Sequence, residues 1–460
     1  MMREPAFSLL RKPSAMKLRD KRVLVLGLGD TGLSVAKWAS DQGGLVRVAD
    51  TRTAAPRKKE FSGELHAGKF KLALLKGVDL VCISPGLSLQ EEIVQAAFAR
   101  GIPILGDIEL FAWDVRAHAG EKVLAVTGTN GKSTVAALTG HLLRAAQIDC
   151  EVAGNIGPPA LEALMKRKAK RPQAWVLELS SYQLETTWAL EPEAATLLNL
   201  SEDHLDRYAG LAEYASAKAR IFTGGGVQLL NRCDSASMAL AQPGRTQVTF
   251  GLDAPEMPED FGIAGEYLVR GTERIFAARE LPLAGAHNAS NALAACALAH
   301  LAGAPLAALA GGLRSFRGLP HRMQRVALRG GVEWLDDSKG TNVGATAAAL
   351  KGLAKKAVLI LGGEGKGQNF APLVPAIREH ALHVLLIGRD AALIEKAIAA
   401  SGVPAERVAS MEKAVRRAAQ VAAPGNAVLL SPACASFDMF RDYKHRGEEF
   451  AAAVEALGHE

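Results

Sequence analysis

The sequence predicts an α/β protein of doubly wound parallel sheets divided into about three units, on three observations. The chain has 460 residues, more than one ordinary hydrophobic core encloses when domains run to roughly 150 residues. At three distant places a β-branched or Leu-rich strand runs into a glycine-rich turn: Val23-Leu24-Val25-Leu26 into Gly27, Val123-Leu124-Ala125-Val126 into Thr127, and Val358-Leu359-Ile360-Leu361 into Gly362. Other short runs, at 80–83, 384–387 and 427–430, are continuously apolar rather than alternating, which is how strands buried on both faces read.

The joints fall where these patterns lapse. Residues 111–118 lie between the first and second units and 315–320 between the second and third. The expected division is therefore a disordered leader over 1–16, then units over 17–112, 113–318 and 319–460. The leader is basic, and its apolar piece at 6–10 is shorter than the roughly 7 residues of a signal-peptide core. Met16 is an alternative initiator. Five scattered cysteines with no CxxC spacing suggest neither a disulfide framework nor a zinc site and fit a reducing, cytoplasmic compartment. The Ala/Leu-rich stretch 289–313 is interrupted by Asn291, His300 and Pro305, so no membrane span is expected. A net charge of +6 raises nucleic acid as a partner, but the basic residues are interspersed with acidic ones, and polyanionic small substrates account for the balance equally well.

In the first unit Gly27-Leu28-Gly29-Asp30-Thr31-Gly32 matches GxGxxG after a strand, and a second strand ends at Asp50. Alone this says NAD, yet the same turn over a helix N-terminus holds any diphosphate, and a tight packing turn has the same appearance. Asp50-Thr51-Arg52 and Ser84-Pro85-Gly86 follow neighbouring predicted strands, where ligands of open α/β sheets bind, which favours a diphospho-nucleotide. In the second unit Thr127-Gly128-Thr129-Asn130-Gly131-Lys132-Ser133-Thr134 stands between a strand and a helix. Glycines let backbone N–H groups face phosphate oxygens, Lys132 brings charge toward the terminal phosphates, and Ser133 offers a magnesium ligand. ATP is the expected ligand, although Val126 stands where the usual pattern has its first glycine.

Glu178 and His204 also sit at predicted strand ends, where a carboxylate and an imidazole beside a nucleotide loop suit magnesium-dependent phosphoryl transfer. A bland hydrogen-bonding role for His204 stays open, as do helix-start roles for Asp203 and Asp206. Tyr214, Lys218 and Phe222 are spaced four apart, so they share a helix face. Lys218 is then either a snorkelling side chain with a buried stem or an amine withdrawn from solvent for function. In the third unit the polar loops 337–342, 362–367 and 431–436 all follow predicted strands and look like half of a binding cleft.

Taken together, these loops resemble the Mur ligase family, and most closely its glutamate-adding members, over about residues 16–457; the specific pieces are 127–134, 153–157, 178–183, 201–208, 318–322, 337–342 and 431–436. The resemblance implies a three-domain architecture: a Rossmann-like N-terminal domain, a central P-loop-type ATP-binding domain and a Rossmann-like C-terminal domain. It implies a cytoplasmic, monomeric enzyme of peptidoglycan synthesis that joins D-glutamate to UDP-N-acetylmuramoyl-L-alanine through an acyl phosphate. ATP, that UDP-sugar and D-glutamate would be its partners, with no nucleic acid and no membrane. By matching position, Gly29, Asp30, Thr31, Gly32, Asp50, Thr51, Arg52, Ser84, Asn155 and His204 look like UDP-sugar contacts. Gly128, Thr129, Asn130, Gly131, Lys132, Ser133, Thr134, Asn288, Asn291, Arg322 and Asp337 look like ATP contacts. Lys132, Glu178, His204 and Lys218 take the catalytic positions. Ser133, Glu178, His204 and a carbamylated Lys218 take those of two Mg2+ sites. Lys339, Thr341, Lys366, Ser436 and Tyr443 look like the glutamate site, with tyrosine at the last position where the familiar pattern has phenylalanine.

Three rival readings are separable. An NAD-dependent oxidoreductase leaves the 127–134 loop without a role. A folylpolyglutamate-synthase-like ligase needs no UDP pocket in an N-terminal Rossmann unit. A nucleotide-gated binding protein has no use for Lys132, Glu178, His204 and Lys218 together. No residue excludes L-glutamate in place of D-glutamate.

Overall fold

Continuously apolar strands must be covered on both faces, and the helical segments between them supply the cover. A computed structural model of the chain describes residues 15–118, 120–204, 207–283 and 285–458, so the expected leader, up to residue 14, and Asp206 lie outside the described residues. Met16 is described, and it packs against the first core.

The first sheet contains β1 (Arg22–Leu26), β2 (Leu45–Asp50), β3 (Glu64–Ala67), β4 (Leu80–Ile83) and β5 (Ile104–Leu105), all parallel, in the order β3-β2-β1-β4-β5. The second contains β6 (Lys122–Thr127), β7 (Cys150–Gly154), β8 (Ala174–Glu178), β9 (Ala194–Leu197), β10 (Val227–Asn231), β11 (Gln247–Phe250), β12 (Phe261–Ala264), β13 (Tyr267–Arg270) and β14 (Glu273–Ala277). Its order is β14-β13-β12-β11-β10-β9-β6-β8-β7. The third contains β15 (Gln324–Arg329), β16 (Val332–Asp336), β17 (Ala357–Gly362), β18 (Ala381–Ile387), β19 (Ala405–Arg407) and β20 (Ala427–Leu430), in the order β15-β16-β20-β17-β18-β19.

The expectation of doubly wound sheets throughout holds for the parallel cores and fails at two edges. β12, β13 and β14 pair antiparallel, and β15 pairs antiparallel with β16. The second hairpin turns at Gly330 and Gly331, with φ of 54° and 74°. Two consecutive left-handed residues are what a tight hairpin turn requires, and a Gly-Gly pair supplies them without strain.

The helix Asp107–Arg116 joins the first two sheets. Phe111 meets Trp175 edge-on with ring centres 5.2 Å apart, a contact worth about 0.5–1.5 kcal/mol beyond its burial. Glu109 accepts from the Trp188 and Ala189 amides at 2.6 and 2.8 Å, and Arg171 bridges Asp114 and Glu121. One hydrophobic core runs through these residues from β1 to β8, while the third sheet has its own cores.

Candidate functional site

The first sheet reverses winding direction between β1 and β4, and the loops leaving their carboxyl ends frame a crevice, as that topology dictates. Gly29, Asp30, Thr31, Asp50, Thr51, Arg52 and Ser84 all line it. Gly32 does not, and its role is packing: a Cβ there would lie 1.9 Å from the Gly27 carbonyl oxygen, so only glycine lets the helix Asp30–Asp41 close on the turn. Asp50 is 2% exposed and its carboxylate is committed within the protein. Oδ2 accepts from the Leu28 amide at 2.7 Å and Arg52 Nη2 at 2.7 Å, while Oδ1 accepts from the Arg52 amide and Nε at 2.8 and 2.9 Å. Burial works to raise this carboxyl, but the Arg52 and Leu28 hydrogen bonds outweigh it and hold it at about 2. With both oxygens filled, Asp50 shapes the glycine turn and aims Arg52.

The second sheet reverses between β6 and β9, which sets the phosphate loop beside residues 198–204. Gly128 and Gly131 adopt φ of 148° and 84°, the left-handed side that their neighbours in the loop avoid. Val126 is a fully buried strand residue, so β6 simply continues where a longer phosphate loop would begin. Asn199 templates the loop: its backbone oxygen accepts from the Thr129 amide, its Oδ1 from the Asn130 amide, and its Nδ2 donates to the Asn130 carbonyl. Lys132 opens the helix Lys132–Ala145 and folds back, donating to the Gly128 and Thr129 carbonyls at 2.9 and 2.8 Å.

Lys218 is 1% exposed, with Tyr214 and Phe222 buried beside it. Its Nζ lies 2.8 Å from the Gly128 carbonyl, 3.3 Å from Thr127 Oγ1 and 4.6 Å from the Tyr214 ring centre. The amine itself is buried, which rules out snorkelling, and burial together with Lys132 drives its pKa well below the ordinary lysine value. Burial also lowers Lys132, against the opposing pull of Glu178 and Asp203. Glu178 is 1% exposed; Oε1 accepts from Asn155 Nδ2 at 2.7 Å, and Oε2 is buried without a partner. His204 takes φ 57° and brings Nδ1 to 2.6 Å from the Tyr182 hydroxyl; burial lowers its pKa.

The third unit closes the chamber. Lys339, Thr341 and Arg322 line it together with Lys132, Asn155, Glu178, His204 and Lys218. Arg322 Nη2 donates to Ser133 Oγ at 2.8 Å, joining the two units at the residue expected to ligate magnesium. An adjoining cleft is lined by Asn130, Gly131, Thr134, Asn288, Asn291, Arg322 and Asp337. Asp337 is pushed up to about 7 by burial, and its Oδ2 accepts from Ser431 Oγ at 2.8 Å. Lys339 is pushed down to about 8 by burial, and its Nζ sits 3.9 Å from the Tyr443 ring centre, a cation–π contact that a phenylalanine would also make. Lys366, in a left-handed conformation at φ 51°, and the buried Ser436 stand outside the chamber walls.

Glu178 and His204 contribute one carboxylate and one imidazole, and among the described residues no cluster of three His, Cys, Asp or Glu has metal-binding geometry. The unpartnered Glu178 Oε2 fits a cation, and a carbamate on Lys218 would supply the second anionic oxygen donor such a site needs. Sequence reasoning gave no role to Asn199, Tyr182 or Asn342, which act on the backbone or side chains of other site residues. Their signal was position alone, each beside a motif residue.

Three family models match in series: the Mur ligase MurD-like N-terminal domain over 21–106, the Mur ligase middle domain over 126–299 and the Mur ligase glutamate ligase domain over 321–434. The chain belongs to the Mur ligase family. It is 53% identical to a UDP-N-acetylmuramoylalanine--D-glutamate ligase from Nitrosospira multiformis, over 96% of this chain and 97% of that protein. A protein of the same name from Thiobacillus denitrificans is 51% identical over 96% and 98%. In fold the chain is similar to UDP-N-acetylmuramate-alanine ligase from Thermotoga maritima (TM-score 0.62, 18% identity, 95% and 99% covered) and to a pseudomurein peptide ligase type C from Methanothermus fervidus (0.61, 17%, 95% and 100%).

Proposed function

We propose that this chain is an ATP-dependent ligase that adds D-glutamate to UDP-N-acetylmuramoyl-L-alanine in peptidoglycan precursor synthesis. The observation that carries the reading is the chamber in which the phosphate loop, Glu178, His204 and Lys218 of the central unit face Lys339 and Thr341 of the third. Identity of 51–53% with D-glutamate ligases over nearly the whole chain supports the choice of amino acid.

The first-unit crevice would seat the UDP group and deliver the alanyl carboxylate past Asn155 and His204. The adjoining cleft, with Asn288, Asn291, Arg322 and Asp337, would take the nucleoside end of ATP. Loop amides of 128–134 would hold its phosphates, and Lys132 would leave the Gly128 and Thr129 carbonyls to meet them. A carboxylate is a poor electrophile, so transfer of the γ-phosphoryl group to it makes an acyl phosphate and supplies a leaving group. The amine of a glutamate held in the chamber by Lys339 and Thr341, with Lys366, Ser436 and Tyr443 assigned to it by the resemblance from beside the chamber, attacks that carbonyl carbon. The tetrahedral adduct collapses, the C–O bond to phosphate breaks, and amide, ADP and phosphate remain.

Lys218, whose amine burial pushes toward the neutral form, is suited to add CO2: its lone pair bonds the carbon, a proton leaves, and a carboxylate-like group forms in the chamber that Glu178 also lines. Magnesium held by Ser133, Glu178, His204 and this carbamate would supply Lewis-acid charge against the phosphate and carboxylate oxygens. We assign the enzyme to the cytoplasm as a monomer; no helix among the described residues is long and apolar enough to cross a membrane.

The test is phosphate release from ATP and Mg2+ with UDP-N-acetylmuramoyl-L-alanine, comparing D-glutamate, L-glutamate and meso-diaminopimelate. Turnover with D-glutamate alone is expected. Turnover with L-glutamate alone overturns the substrate, and none with any of the three overturns the function.

A further inference from the structure

Asn342 ends the loop that carries Lys339 and Thr341, and neither the resemblance nor the chemistry above gives it a role. It is 4% exposed and is the N-cap of the helix Val343–Lys351, with Oδ1 accepting from the Ala345 amide at 2.8 Å. The cap fixes which end of the amide is oxygen, since a backbone N–H needs an acceptor. Nδ2 must then face away from its own helix. It donates at 3.0 Å to Oδ1 of Asn130, in the phosphate loop, and at 3.3 Å to Oδ2 of Asp203, beside His204. Both amide hydrogens therefore find acceptors on the central unit, 212 and 139 positions away in sequence, and one acceptor is charged, which strengthens the bond.

We propose that Asn342 is a latch that holds the third unit closed on the phosphate loop and so positions Lys339 and Thr341 over the reacting groups. Its side chain is short and both ends are committed, the oxygen also accepting from Asn130 Nδ2 at 3.4 Å, so anchoring it fixes the backbone of the two residues that precede it by one and three positions. The Arg322–Ser133 contact also bridges the units, but through a long side chain that tolerates rotation of one unit against the other. Asn342 lines the chamber beside Thr341, but its amide is committed to Asn130, Asp203 and its own helix, which makes it a positioning residue. The kinetic consequence rests on the ligase reading; the closure itself does not.

The chemistry supplies a reciprocal test. Asn342→Asp keeps the cap oxygen but sets a carboxylate against Asp203, and Asn342→Ser keeps a cap while losing the reach. Combining Asn342→Asp with Asp203→Asn swaps amide and carboxylate without changing net charge. Closure is read as a spin-label distance between Cys233, an exposed cysteine of the central unit, and a cysteine replacing Leu393, 55% exposed in the third unit, with thermal melting to verify folding. Both single variants should lengthen and broaden the distance distribution, and the swap should restore it. In the ligase assay, kcat/KM for the amino acid should fall about 10–100-fold in the single variants, the loss expected for hydrogen bonds to a charged group, and recover in the swap. Unchanged distances in folded Asn342→Asp and Asn342→Ser overturn the latch, as does a swap no better than the single variant. Altered distances in a protein that turns over none of the substrates leave the latch standing and remove the ligase reading.

Discussion

Replacing Asp50 by asparagine tests whether the first-unit crevice is organised from within. The wild-type carboxylate accepts four hydrogen bonds, three of them from Arg52. An asparagine that keeps its oxygen on the Leu28 amide turns an NH2 group toward the Arg52 donors. A carboxyl held at about 2 instead of 3.8 contributes about 2 kcal/mol of folding free energy at neutral pH, somewhat less given that the Arg52 side chain is 54% exposed and screened by water. The sign follows from the direction: the folded-state pKa is depressed, so the stabilisation is complete above about pH 4 and disappears as pH falls toward 2. Asp50→Asn should therefore be less stable than wild type by about 1–2 kcal/mol from pH 5 to 8, with the gap narrowing below pH 4. Urea titrations followed by tryptophan fluorescence, to which the buried Trp38 of the same unit contributes, measure it. UDP binding should weaken about tenfold as Arg52 loses its aim. A gap that stays constant down to pH 3, or a variant as stable as wild type at pH 7, refutes the assignment of Asp50 as a buried organiser.

Gly32→Ala would place a Cβ 1.9 Å from a backbone oxygen, so the helix must move off the turn; UDP affinity should drop at least about tenfold with ATP affinity of the central unit unchanged, both read by calorimetry, and an unchanged UDP affinity would show the turn to be tolerant. Lys218→Ala should lower turnover by roughly 10²–10³-fold. With 13C-enriched bicarbonate the wild type should show a carbamate carbon signal that the variant lacks, and a signal of equal intensity in both would place the carbamate elsewhere.

The parallel cores and their ligand-bearing loops were legible because each is a local event: an apolar run, a turn, a helix start. Gly29, Lys132 and Glu178 stand within a few residues of a strand end, and the carboxyl-end rule places Gly29 in the first-unit crevice and Lys132 with Glu178 in the central chamber. The hairpin at Gly330-Gly331 is equally local, but a glycine pair alone does not say whether the flanking segments pair antiparallel. Lys218 shows the limit of periodicity. The four-residue spacing put it on a face with Tyr214 and Phe222, but whether the amine reached water depended on β6 and the Gly128 carbonyl, 90 positions away, which no helical pattern reports. Asp50 shows the opposite limit: its position predicted a ligand contact, and only the packing of Arg52 across it shows that its oxygens are already taken.

The charges that line the central chamber suit anionic ligands. Lys132, Lys218, Arg322 and Lys339 face one another across it, against the carboxylates of Glu178 and Asp203. Burial lowers each of the three lysines, and Lys132 adds to the lowering of both Lys218 and Lys339. Cations gathered at such short range destabilise the empty site, and phosphates, carboxylates and a carbamate relieve that repulsion. The proposed carbamate on Lys218 would leave no cation at that position and place an anion in the chamber that Glu178 also lines. Two anionic groups in one buried chamber repel unless a cation lies between them. On the proposed reading, modification of Lys218 and affinity for a divalent ion would be one coupled property of the site, with Lys132, Arg322 and Lys339 left to meet the phosphates and the incoming amino acid.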